Sequence, residues 1–67
     1  MVYWVLERES EPGLAVDEGC AANVGDALFA ARDARQAWGD TNPGAGPRVR
    51  WSIKLNDGRR TLAVLGA

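Results

Sequence analysis

The chain offers little to proton-transfer chemistry: no histidine, a single lysine (Lys54) and a single cysteine (Cys20). A general acid or base would have to be a carboxylate or a perturbed Lys54. Glu7, Glu9 and Glu11 alternate beside a Pro12-Gly13 turn, the pattern of a solvated edge and not of a buried acid pair. Cys20 stands in Glu18-Gly19-Cys20-Ala21, where a nearby helix start could lower a thiol pKa. A lone cysteine is more often a small buried hydrophobe, and that is its expected place. With no second thiol there is no intramolecular disulfide and no zinc-type ligand set. Gly39, Gly44 and Gly46 lack the Lys-Ser/Thr and the strand-to-helix setting of a phosphate loop. A chain of 67 residues also has little room for a substrate pocket of several hundred cubic ångströms. No enzyme, cofactor or metal site is expected.

Charge is more informative than chemistry. Residues 1–40 carry eight acids against three bases, and residues 41–67 carry five bases against one acid, within a total of −1. The first reading of this segregation is that acidic and basic strands lie side by side and neutralise one another across a sheet. The second is a basic surface of Arg48, Arg50, Lys54, Arg59 and Arg60 that meets a polyanion or an acidic partner. Such a two-stranded ribbon could enter a major groove or follow phosphates. A pI near 5.2 argues against a dedicated nucleic-acid binder, and no aromatic platform for single strands shares that surface.

These side chains need elements to carry them. From Arg48, alternation sets Val49, Trp51, Ile53 and Leu55 against Arg48, Arg50, Ser52 and Lys54, the period of a half-buried strand. Asp57-Gly58 suits a type I′ hairpin turn, and the hairpin runs from Arg48 to Leu65. With a two-residue loop, Ile53 pairs with Leu62, Trp51 with Val64 and Lys54 with Thr61, so apolar meets apolar. A four-residue loop through Arg59 gives the same pairing, whereas a three-residue loop would put Leu62 on the basic face. Val2 to Arg8 is a strand apolar at both parities, with Val2, Trp4 and Leu6 on one side and Tyr3 and Val5 on the other. Leu14 to Val16 could be a short return strand.

Between the strands lies a helix. Asn23 is its N-cap, Asp26 favours the positive end of the dipole, and Gly39 supplies the stop. Val24, Ala27, Leu28, Ala31, Ala34, Arg35 and Trp38 form one face. Phe29 lies about 140° from Val24 and outside that face. Gly39 to Pro47 reads as a loop. The expected fold is a single small α+β domain: a mostly antiparallel three- or four-stranded sheet with one helix on one face, in the order β-(β)-α-β-β.

A domain of this size buries only about 60% of its extended surface, and it has no internal staple. Self-association is the remaining device, and a homodimer through an open sheet face or paired edge strands is expected. Tyr3, Val5 and Phe29 are the apolar candidates for a partner, joined by the five basic residues. The apolar start lacks the pattern of a signal peptide, and no segment approaches the roughly 20 apolar residues of a membrane span; a cytoplasmic location is expected. The Ala/Gly/Arg/Asp-rich composition suits a high-GC genome, where small proteins of phages and mobile elements are frequent.

Tyr3-Trp4-Val5-Leu6-Glu7-Arg8, a Pro-Gly turn, a short strand and Val24-Gly25-Asp26-Ala27-Leu28 opening an alanine-rich helix resemble the HicB-type antitoxin domain over about the first 38 residues. In that family a strand pair precedes a helix, and the domain dimerises and blocks a small ribonuclease toxin. The family's Pro-Asp-Leu-Pro-Gly stretch is replaced here by Val16-Asp17-Glu18-Gly19-Cys20, and a separate DNA-binding tail after the hairpin is not expected. The resemblance implies an antitoxin-type role as an alternative to a general interaction module and to a nucleic-acid-binding regulator.

Overall fold

The computed structural model describes residues 1–44 and 48–66. Its elements are β1 (Val2–Arg8), β2 (Ala15–Ala21), α1 (Val24–Thr41), β3 (Trp51–Asn56) and β4 (Thr61–Gly66). They form an α+β domain with a four-stranded sheet in the order β2-β1-β3-β4, antiparallel at every neighbouring pair. Part of the expected loop, residues 45–47 with Gly46 and Pro47, lies outside the described residues.

β1 has the expected bounds and takes the sheet's interior because both its faces are apolar. Val2, Trp4 and Leu6 are buried while Tyr3 is exposed. The return strand is Ala15–Ala21, longer than Leu14 to Val16 and running through residues of poor strand propensity. Pairing with β1 overrides propensity, and Gly19 has a packing reason to be there. A Cβ at Gly19 would lie 2.8 Å from Cζ2 of Trp4, so the bare backbone makes room for the indole. The register shifts between Leu6 and Glu7, from Leu6↔Asp17 to Glu7↔Ala15. Val16, left unpaired there, packs against the core.

α1 opens as its sequence suggests. The Asn23 side-chain oxygen accepts from the Asp26 N–H (2.9 Å), and the Asn23 amide donates to the Asp26 carboxylate (3.2 Å). Its end differs: the helix runs past Gly39 to Thr41. Thr41 Oγ1 and the Asn42 amide both donate to the Trp38 carbonyl (3.0 and 2.9 Å), so side chains satisfy the last turn and the glycine need not end it. The buried stripe is narrower than the seven residues expected. Ala27 and Ala31 are fully buried and Leu28, Ala30, Ala34 and Trp38 pack beside them; Val24 and Arg35 are exposed. Small residues let the helix lie close to the sheet.

The core is Val2, Trp4, Leu6, Trp51, Ile53 and Leu55 beneath Ala27 and Ala31. Trp38 meets Trp51 edge-on, with ring centroids 5.1 Å apart at 78°, a favourable arrangement for two quadrupoles. The Arg8 guanidinium sits 5.8 Å above the Trp38 ring and pairs with Glu11 at 2.6 Å.

The C-terminal hairpin exists, but in a different register. Ile53 pairs with Leu65, Lys54 with Val64, Leu55 with Ala63 and Asn56 with Thr61. The pairings Ile53 with Leu62, Trp51 with Val64 and Lys54 with Thr61 are therefore not formed. The reason lies in the turn. No described non-glycine residue has positive φ, which a type I′ turn would demand of Asp57. Instead Asp57 Oδ1 accepts from the N–H groups of Arg59 and Arg60 (both 2.9 Å). Asn56 Oδ1 accepts from Gly58 N–H (3.0 Å), and Gly58 alone in this turn takes positive φ, +93°. Two short polar side chains thus cap a four-residue turn. A bulge follows it between the Asn56↔Thr61 and Leu55↔Ala63 pairs. Ala63 and Leu65 then turn to the core, while Leu62 and Val64 remain exposed.

Candidate interaction surface

The helix packs on β2, β1 and β3; its backbone does not come near that of β4, whose Ala63 and Leu65 side chains reach the margin of the core. The other side of the sheet carries Glu18 and Cys20 from β2, Tyr3, Val5 and Glu7 from β1, Ser52, Lys54 and Asn56 from β3, and Val64 from β4, as the registers Tyr3↔Cys20, Val5↔Glu18, Val5↔Lys54 and Lys54↔Val64 require. No described helix or strand packs on this side, and only the turns at its ends reach it, Gly13 at Glu7 and Gly58 beside the Tyr3 ring. Tyr3 is 43% exposed and Val64 58%, with Leu62 41% exposed at the bulge.

Lys54 does not project a free charge from it. Its ammonium lies 3.1 Å from Glu7 Oε1, and the same oxygen accepts the N–H of Gly13 (3.3 Å). Glu7 is 6% exposed and so is not part of a solvated edge, unlike its neighbours Glu9 and Glu11. Its carboxyl is held below the ordinary value of 4.5, first by the Gly13 N–H and then by Lys54, with burial opposing both. One carboxylate thus ties the β1–β2 turn to β3 and neutralises the centre of the open face.

The other expected site residues are dispersed. Tyr3, Val5 and Lys54 are brought together on this face. Phe29 is 75% exposed, but it belongs to the helix layer and cannot share a surface with them. Arg48 and Arg50 precede β3 and stand beside Arg8, Glu9 and Ser10 along a shallow depression. Arg59 and Arg60 lie in the turn at the far end of the strand, about 20 Å away for six residues. Arg60 is within 3.8 Å of Asp57, whose carboxyl is lowered first by the Arg60 N–H and then by that of Arg59. Arg48, Arg50 and Lys54 are therefore not one row along a strand, since β3 begins only at Trp51.

Leu62, Val64 and Cys20 join Glu7 among the residues of these strands whose places sequence reasoning missed. Leu62 and Val64 were expected in the core and are exposed; the run Leu62-Ala63-Val64-Leu65 is apolar at both parities, so pairing chemistry alone does not choose its face. Cys20, expected buried, is exposed on β2. Among the described residues there is no cluster of His, Cys, Asp or Glu suited to a metal ion, and no helix is long and apolar enough to cross a membrane. No protein family, curated protein or solved structure matches the chain.

Proposed function

We propose that this chain is a small non-enzymatic protein-interaction module that self-associates and, separately, binds a partner protein through the open side of its sheet. The observation that carries this reading is the set of exposed apolar side chains, Tyr3, Val64 and Leu62 with the half-buried Val5, around a charge already neutralised by Glu7. Exposed apolar groups gathered on one face mark contact surfaces more than scattered ones do, and a tyrosine is a common anchor. An antitoxin-type role, which the resemblance of the first 38 residues implies, would be one form of this activity. Nucleic-acid binding finds less support, because Lys54 is engaged in cis and the arginines divide between two ends of the sheet.

The test is retention of a defined protein from extracts of the source cells by the immobilised chain. Tyr3→Lys should abolish retention, and Arg48→Ala with Arg50→Ala should leave it intact. Retention indifferent to Tyr3→Lys would contradict the open-face reading. Binding to duplex or single-stranded nucleic acid that collapses with salt and with the arginine variants would favour the regulator instead.

A further inference from the structure

The sheet has two edges, and they are built differently. β2, at one edge, carries Asp17 and Glu18 at its middle. If two β2 strands met antiparallel in either register centred on this strand, Glu18 would face Glu18 or Asp17 of its mate, and like charges directly opposite are destabilising. Acids of this kind are how sheets keep an edge from pairing. β4, at the other edge, is Thr61-Leu62-Ala63-Val64-Leu65-Gly66, with no charge and no proline. The helix backbone does not come near it, so among the described residues β3 is the one strand or helix that lies alongside it.

The backbone of β4 is also presented outward at a definable place. Glu9 N–H donates to the Arg50 carbonyl (2.9 Å), which sets the phase of the β1–β3 ladder: Ser52, Lys54 and Asn56 turn their backbone groups to β1. By alternation Ile53 and Leu55 turn theirs to β4, and their partners Leu65 and Ala63 answer them. Val64, between these two, therefore directs its N–H and C=O away from the sheet. A second β4 laid antiparallel with Val64 opposite Val64 would exchange two hydrogen bonds at that point. The same register sets Ala63 against Leu65, small against large, and Leu62 against Gly66. No charge enters any of these pairs, and both members of each lie on the same side of the joined sheet.

We propose that β4 pairs with β4 of a second copy of this chain about a two-fold axis at Val64, giving a continuous eight-stranded sheet. This rests on the self-association part of the proposed function and gives it an occupant and a register. The axis stands perpendicular to the sheet, so both helices lie on one side and the two open faces join on the other, with Val64 and Leu62 at their seam. β4 changes from an edge strand into an interior one, which answers the shortage of core in a domain of 67 residues.

Sedimentation from roughly 1 μM to 1 mM tests it, on the full chain and three variants, each checked for fold by circular dichroism. The wild type should be dimeric. Val64→Lys, which places two ammonium groups opposite each other at the axis, should weaken the dimer by about tenfold or more, and Val64→Thr, which keeps strand shape without charge, should retain it. Tyr3→Lys, on the open face away from the edge, should leave the dimer intact. A dimer insensitive to Val64→Lys but dissociated by Tyr3→Lys would overturn edge pairing and leave open-face association standing. A strict monomer would overturn edge pairing whether or not a partner protein is captured.

Discussion

β2 and β4 are both edge strands of one sheet, yet only β2 carries charge: Asp17 and Glu18 stand on it, while no ionisable side chain occurs between Thr61 and Gly66. β2 is also the better covered, because α1 packs on it and not on β4. The strand more protected by its neighbours is thus the one guarded by acids, and the strand with least cover has no guard. Edge protection is needed wherever pairing would be harmful. Its absence from the barer strand is what an edge used for pairing would show.

The largest effect expected separates the edges by their glycines. Gly19 of β2 lies under Trp4, where an added Cβ would come within 2.8 Å of a rigid ring atom; Gly66 of β4 has nothing within 4 Å. Gly19→Ala should destabilise the fold by about 1–3 kcal/mol, a fall of about 4–8 °C in melting temperature for each kcal/mol, whereas Gly66→Ala should stay within about 0.5 kcal/mol. Thermal denaturation by circular dichroism compares them. Equal effects at the two positions would mean that β2 is not held by the Trp4 contact.

The next effect concerns what ties β2's turn to the rest of the sheet. Glu7 binds Gly13 N–H and Lys54, and its carboxyl is held below 4.5 in the folded chain. A carboxyl lowered by folding contributes stability that is present above its ordinary value and is lost as pH falls through the folded value. Lys54 is substantially exposed, so solvent screening keeps its share below about 1 kcal/mol. Denaturant midpoints of wild type and Glu7→Gln should differ at pH 7 and converge as the pH falls through the lowered value of the folded carboxyl. A constant gap across that range would remove the carboxylate from the account.

The smallest effect on stability should have a visible effect on association. Asp17→Asn with Glu18→Gln takes the guard from β2 at a cost within about 0.5 kcal/mol, because both residues are exposed. The doubly neutralised chain should form species larger than a dimer at high concentration, since both edges can then pair. Unchanged sedimentation would show that acids are not what keeps β2 single.

Much of this architecture is legible in the sequence, and the misses have physical causes. Val2–Arg8 stands out because β-branched and aromatic residues fill Val2 to Val5 and Leu6 extends the apolar run, and the helix start because Asn23 and Asp26 cap it reciprocally. β2 is hidden because Asp17, Glu18 and Gly19 are poor strand formers, and only the bulk of Trp4 across the ladder gives Gly19 its meaning. The hairpin was visible but its register was not. Asp57 serves as a side-chain acceptor for Arg59 and Arg60 instead of adopting positive φ, and the bulge at Leu62 then exchanges the faces of β4. The face of β4 decides which surface is free: with Leu62 and Val64 in the core, Arg48, Arg50 and Lys54 would form it, whereas Lys54 is paired with Glu7 and the arginines lie beyond the strand.

Amide hydrogen exchange at Val64 bears most directly on the pairing of β4. In an isolated chain the Val64 N–H, by the β3–β4 register, points out from the edge and should exchange freely, while those of Ala63 and Leu65 face β3. If β4 pairs with β4 about Val64, protection of the Val64 amide should rise with protein concentration in step with the dimer, and protection of Ala63 and Leu65 should be present throughout. A dimeric sample in which Val64 still exchanges as fast as an unpaired amide would contradict it.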